Sequence, residues 1–180
     1  KLSRRGEQRR SRRAKAEIPV LSIIGYTNAG KSNLFNLLTK SQFRVEDRLF
    51  STLDTATRRL KFPKGREVVV TDTVGLIKDL PRDLIVAFRP TFDELKESDL
   101  LIHLIDISNP CFLEHMEAVE RILSELKLDH IPLLRVFNKE DKVSREKVKA
   151  ICQKYDGVSI SALRPESLGP LWVALERKLW

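Results

Sequence analysis

Apolar residues along this chain gather in short runs, and between the runs they recur every three or four positions. The runs at 20–24, 67–72, 100–105, 131–137 and 158–160 are rich in leucine, isoleucine and valine, and 58–62 alternates charged with apolar residues. Several are apolar nearly throughout, so these predict strands buried on both faces. The helical spacing at 32–38, 112–126, 144–155 and 167–180 predicts four amphipathic helices. Residues 80–97 are also mostly helical in pattern, with Pro81 favouring a start and Pro90 a break or kink. Ser144 stands where a helix N-cap belongs. Residues 40–57 are polar and irregular and predict a loop.

The turn Pro63-Lys64-Gly65 joins the second and third strands. It is too short for a crossover and permits only antiparallel pairing. The resulting order, β-α-β-β-α-β-α-β-α-β-α without internal repeat, predicts an α/β, three-layer fold. Its mostly parallel six-stranded sheet has one antiparallel strand and helices on both faces.

Composition narrows this picture in two places. A length of 180 residues suits one well-filled domain, expected over 18–180. No apolar run reaches the roughly 20 residues of a membrane span, so no membrane partner is expected, and the chain is read as a cytoplasmic monomer. Cys111 and Cys152 stand far apart without metal-ligand spacing and are read as reduced, partly buried residues. The net charge of +8 is uneven: residues 1–17 carry eight basic and two acidic groups, leaving +2 for the rest. That tail is a solvated charged segment, one drawn to phosphate backbone such as RNA, or a transit peptide.

The chemistry begins at Gly25-Tyr26-Thr27-Asn28-Ala29-Gly30-Lys31-Ser32, a glycine, four residues, then Gly-Lys-Ser. It follows an apolar strand and opens a helix, the context a phosphate loop requires. Glycines let the backbone wrap phosphate oxygens with its N–H groups, and the helix N-terminus adds a positive dipole end. Lys31 is expected to reach the β and γ phosphates and the Ser32 hydroxyl to ligate Mg²⁺. A second magnesium contact is expected from Asp72, ending an apolar strand in Asp72-Thr73-Val74-Gly75. The Gly75 N–H, with no side chain in the way, can approach the γ phosphate.

Phosphate loops serve adenine and guanine nucleotides alike, so the base needs separate evidence. Asn138-Lys139-Glu140-Asp141 follows a strand. A carboxylate at Asp141 can accept from guanine N1–H and the exocyclic amine, which adenine cannot match, and unpaired buried polar groups discriminate strongly. Lys139 is expected to lay its stem along the base, and Asn138 to tie this loop to the phosphate loop. Ser161-Ala162-Leu163 follows the last strand, where backbone N–H groups can meet guanine O6. GTP and GDP are the expected ligands.

Together with Leu49-Phe50-Ser51-Thr52-Leu53-Asp54 and Leu76-Ile77-Lys78-Asp79-Leu80-Pro81, these motifs resemble the G domain of the HflX family of ribosome-associated GTPases over residues 18–180. The resemblance implies GTP hydrolysis coupled to the large ribosomal subunit and its RNA, with a role in splitting or rescuing stalled ribosomes. It makes residues 1–17 the end of a preceding helical region. By position it assigns Thr52 to the switch threonine that closes on Mg²⁺ and the γ phosphate. Thr55 and Asn33 depart from the family's usual Pro and Ser or Thr. Asn28 matches the asparagine that ligates K⁺ in potassium-activated relatives, adding potassium to magnesium as a candidate cofactor.

Many small GTPases carry a water-orienting glutamine after the Asp-x-x-Gly glycine. Here that position is Leu76, which cannot hydrogen-bond. Slow intrinsic hydrolysis helped by Asn28 and K⁺, or by a partner, is therefore expected. Three other readings are an RNA-modification or ribosome-assembly GTPase, a metabolic phosphate-loop kinase, and a nucleotide-sensing pseudo-GTPase, the last opposed by intact Lys31, Ser32 and Asp72. Residues 76–81 weigh against the first and residues 138–141 against the second. His103, inside an apolar strand, is read as a core histidine satisfied by backbone. Trp172 and Trp180 are read as packing residues on one face of the last helix.

Overall fold

Strands that are apolar nearly throughout cannot leave either face wet, so helices must cover both. A computed structural model of the chain describes residues 18–39, 56–62, 65–72 and 89–180. Among the described residues six strands form one sheet: β1 Val20–Gly25, β2 Ala56–Lys61, β3 Glu67–Asp72, β4 Leu100–Asp106, β5 Leu133–Asn138 and β6 Gly157–Ser159. Their order is β2-β3-β1-β4-β5-β6. Every pair is parallel except β2 with β3, as the short turn between them requires.

The helices are α1 Lys31–Thr39, α2 Arg89–Leu95, α3 Phe112–Glu125, α4 Arg145–Tyr155 and α5 Gly169–Leu179. On one face Leu34, Phe35 and Leu38 of α1 and Leu171 and Leu175 of α5 pack on Leu21, Ile23, Val68, Val70, Ile102 and Val136. On the other, Phe92 and Leu95 of α2 and Val119, Ile122 and Leu123 of α3 meet Ile24 and Leu101. Farther along, Phe112 and Met116 of α3 and Ile151 of α4 close over Ile105 and Phe137. Each fully buried leucine contributes roughly 2 kcal/mol. Two covered faces and one antiparallel strand make the three-layer α/β fold expected from the pattern.

Ser144 caps α4, its Oγ accepting from the Lys147 N–H at 3.4 Å. The described helix α2 begins at Arg89, one residue before Pro90. Pro90 thus stands in the first turn, where its missing N–H has no intrahelical partner to lose. The helical pattern at 80–88, and residues 1–17, lie outside the described residues.

His103 departs from expectation. It is buried in β4, but its Nδ1 has no hydrogen-bond partner and lies 4.0 Å from Glu120 Oε1. Burial first, then the Arg135 and Lys31 charges, push its pKa down to about 3, so it is neutral. Both cysteines are free. Cys152 is half-buried, but Cys111 is exposed at the start of α3 rather than partly buried. No helix among the described residues is long and apolar enough to cross a membrane.

Candidate nucleotide-binding site

The sheet register brings the strand ends to one edge. Ile23 of β1 pairs with Asp72, Gly25 with Leu104, and Asp106 of β4 with Asn138 of β5. β1 is central, with β3 and β4 on its two sides. In a sheet that runs outward both ways from one strand, the carboxyl ends beside that strand open a crevice. The loop from Gly25 to Lys31 lies there and runs into α1.

Backbone geometry explains its residue types. A Cβ on Gly25 would stand 2.4 Å from the Leu104 carbonyl oxygen of the neighbouring strand. Gly30 has φ +97°, and a Cβ there would stand 2.4 Å from Asn138 Nδ2. Only glycine permits both approaches. The loop closes on itself with Ala29 N–H donating to the Tyr26 carbonyl at 3.2 Å, and the α1 ladder starts with Leu34 N–H to Gly30 carbonyl at 2.9 Å.

Lys31 is 7% exposed and donates from Nζ to the Tyr26 carbonyl at 3.1 Å. Burial lowers its pKa to about 8, and the nearby Asp72 carboxylate raises it part of the way back. The ammonium is therefore held in a dry place that an anion would relieve. Ser32 Oγ donates to Asp72 Oδ2 at 2.9 Å, bringing together two oxygens that are 40 residues apart in sequence. Among the described residues no group of three or more His, Cys, Asp or Glu could hold a metal by itself. A hydroxyl and a carboxylate suit Mg²⁺, which takes one or two protein oxygens and completes its shell with water and phosphate.

Asn138 joins the two halves of the site. Buried to 2% exposure, it donates from Nδ2 to the Ala29 carbonyl at 2.7 Å, and its Oδ1 accepts from Ala162 N–H at 2.9 Å. One side chain thus spans the loop after β1 and the loop after β6. Asp141 is exposed, and its carboxyl is held below the ordinary value first by the nearby Ser161 hydroxyl, although that hydroxyl makes no close hydrogen bond. Ser161 and Ala162 are buried, whereas Leu163 is 71% exposed. Tyr26, Thr27, Asn28 and Ala29 line a cavity of about 30 Å³ against the end of β4, room for roughly one water.

Two contacts carried no clear sequence signal. The Lys139 ammonium donates to Asp106 Oδ2 at 2.7 Å and to the Asn28 carbonyl at 3.1 Å. Asp106 is itself braced by Ser108, whose N–H and Oγ donate to Oδ1 at 3.0 and 2.6 Å. In sequence Asp106 is only the polar end of a strand, and its partner is 33 residues away. The second contact stacks Tyr26 on His115 of α3, with centroids 3.8 Å apart and planes 3° from parallel. Residues Gly25 to Ser32, Asp72, Asn138, Lys139, Asp141 and 161–163 thus lie at one edge of the sheet, in strand ends, the turns that follow them and the first turn of α1. Thr52, Gly75 and Leu76 lie outside the described residues.

Comparison with known proteins identifies the family. Residues 20–139 match the family model described as 50S ribosome-binding GTPase. The chain is 44% identical over 179 residues to the GTPase HflX of Caldanaerobacter subterraneus, covering 99% of this chain and 41% of that protein. It is 43% identical over 141 residues to the GTPase HflX of Escherichia coli, covering 78% of this chain and 33% of that one. It therefore spans about two fifths of such relatives or less. Among solved structures, a GTP-binding protein from Sulfolobus solfataricus in complex with GDP superposes with TM-score 0.71 at 27% identity. That match covers 98% of this chain and 57% of the other. With identity at this level along almost its whole length, the chain belongs to the HflX family of ribosome-binding GTPases.

Proposed function

We propose that this chain binds GTP and hydrolyses it to GDP and phosphate, slowly by itself and faster on the large ribosomal subunit. The whole protein, a cytoplasmic monomer, would use this switch to split or rescue stalled ribosomes. Residues 18–180 form the GTP-binding domain, and 1–17 end a preceding helical region.

The observation that carries the reading is Asn138, which links the phosphate-loop carbonyl of Ala29 to the N–H of Ala162. Such a tie is useful when one ligand must touch both loops, phosphate at one and base at the other. Backbone N–H groups from Gly25 to Ser32 would cradle the phosphates, with Lys31 beside them. Ser32, Asp72 and Thr52 would hold Mg²⁺, which when bound offsets charge on the phosphate oxygens. The Gly75 N–H would meet the γ phosphate. Asp141 would accept from guanine, with Lys139 along the ring and residues 161–163 at its O6 edge. Hydrolysis breaks the bond between the γ phosphorus and its bridging oxygen as a water oxygen attacks. Leu76 cannot orient that water, so Asn28 with K⁺, or the ribosome, would supply what glutamine supplies elsewhere.

Two measurements test this. Single-turnover hydrolysis should be slow in sodium and faster with potassium or with large subunits, and fast turnover in sodium alone would refute it. Asp141→Asn should exchange GTP preference for xanthosine triphosphate, and normal GTP binding by that variant would remove Asp141 from the base site.

A further inference from the structure

The positive charge of the globular part is not spread evenly. Residues 18–180 carry +2 in total, yet the hairpin 56–72 holds five basic residues against Glu67 and Asp72, a net +3. Everything else in that range sums to −1. Among the described residues the hairpin also lies at the rim of the sheet, since β2 is the outermost strand and pairs there only with β3.

Four of its cations face solvent: Arg58, Arg59, Lys61 and Arg66. The Arg59 and Lys61 side chains are 68% and 83% exposed, and both share the single carboxylate of Glu67 at 3.3 and 3.9 Å. Alternation along β2 sends Arg59 and Lys61 to one side of the sheet, and Arg58 to the other with the buried Leu60. Charge therefore wraps the rim over about 10 Å of strand. At its end Trp180 is 45% exposed, its inner edge against the buried Phe62 at 5.3 Å between centroids. The Arg66 guanidinium lies 4.8 Å above the indole.

We infer that this rim, Arg58, Arg59, Lys61 and Arg66 with the Trp180 indole, is a docking ridge for the phosphate backbone of RNA. The inference rests on the ribosome-binding reading above and gives it a surface. Charges on an edge strand also keep it from pairing with other chains. That task is met by either sign and has no use for a half-exposed tryptophan under a guanidinium. Cations on both sides of an edge strand, and a further one lying over a half-exposed indole, offer a nucleic-acid strand phosphate contacts along the rim and a ring edge beside them.

The test uses the full chain, keeping residues 1–17 in every variant so that differences report only the rim. The probe is protein-free large-subunit ribosomal RNA, with purified large subunits and GDP measured in parallel. R58Q/R59Q/K61Q/R66Q should lose at least about tenfold in RNA affinity and lower the slope of log K against log[KCl] by about three to four. Trp180→Ala should weaken binding several-fold at unchanged slope. GDP affinity should stay the same throughout, and its absence in the unaltered chain would count against the nucleotide reading rather than this one. If the fourfold variant fails to fold, Arg59→Gln and Lys61→Gln singly should each lower the slope by about one. RNA affinity within twofold and an unchanged slope would overturn the inference. So would a loss of binding to large subunits but not to bare RNA, which would assign the ridge to a ribosomal protein.

Discussion

Lys31 offers a prediction that can be worked through from the structure. Its ammonium is buried beneath the phosphate loop with pKa about 8 against an ordinary 10.5, desolvation outweighing Asp72. For a base lowered in the folded state, both states carry the proton below pH 8 and the penalty is present in full. Between 8 and 10.5 the unfolded chain binds more protons than the folded one, so stability rises with pH across that window. The gain from pH 7.5 to 9.5 should be about 2 kcal/mol at ~1.4 kcal/mol per unit. Other lysines titrate nearby, so the observable is the difference in urea stability between the unaltered chain and Lys31→Met. In that variant the 2 kcal/mol rise should vanish. A bound phosphate reverses the effect by giving the ammonium an anion. At pH 8.5 about three quarters of Lys31 is neutral in the free chain, so GDP binding should take up about 0.7 proton. Calorimetry in two buffers of different ionisation enthalpy measures that number directly. No proton uptake at pH 8.5, or equal pH slopes for the two proteins, would refute the argument.

Three further outcomes are expected. Asn138→Ala strands the Ala29 carbonyl and the Ala162 N–H, and should cost about 2–4 kcal/mol in chemical denaturation of the nucleotide-free chain; a loss under about 0.5 kcal/mol would mean the loops hold together without it. Asp106→Asn removes the charge facing Lys139 and should weaken GDP roughly fivefold, by about 1 kcal/mol. The same change should do little in a Lys139→Met background, and full additivity would show that the ion pair is not the cause. His103, with pKa about 3, stays neutral while the unfolded histidine charges below about 6.5, so the unfolded chain binds more protons between those values. Stability should fall by about 2 kcal/mol from pH 7.5 to 5, and by correspondingly less in His103→Gln.

The order of elements was legible in the sequence because periodicity is local. A buried strand must be apolar along its length, a covered helix must repeat every three to four residues, and a three-residue turn leaves only one pairing direction. The phosphate loop was legible for the same reason, since glycine spacing states what the backbone must do over eight residues. Even Asn138 could be assigned a bridging part from its motif, and its hydrogen bonds to Ala29 and Ala162 have that form.

What tertiary structure decided involves residues brought together from distant parts of the chain. Asp106 becomes the partner of Lys139 only because β4 and β5 are neighbours in register. His103 was given a backbone partner from its apolar surroundings alone, but whether a buried nitrogen is met depends on Glu120, whose Oε1 stops 4.0 Å short. The sequence placed most of the net charge in residues 1–17, and the strand order then put the remaining excess on the rim of the sheet, where Trp180 meets it from the far end of the chain. Periodicity reports which face of an element is covered. It carries no record of which side chain on another element lies opposite, because that is set by the packing of the whole.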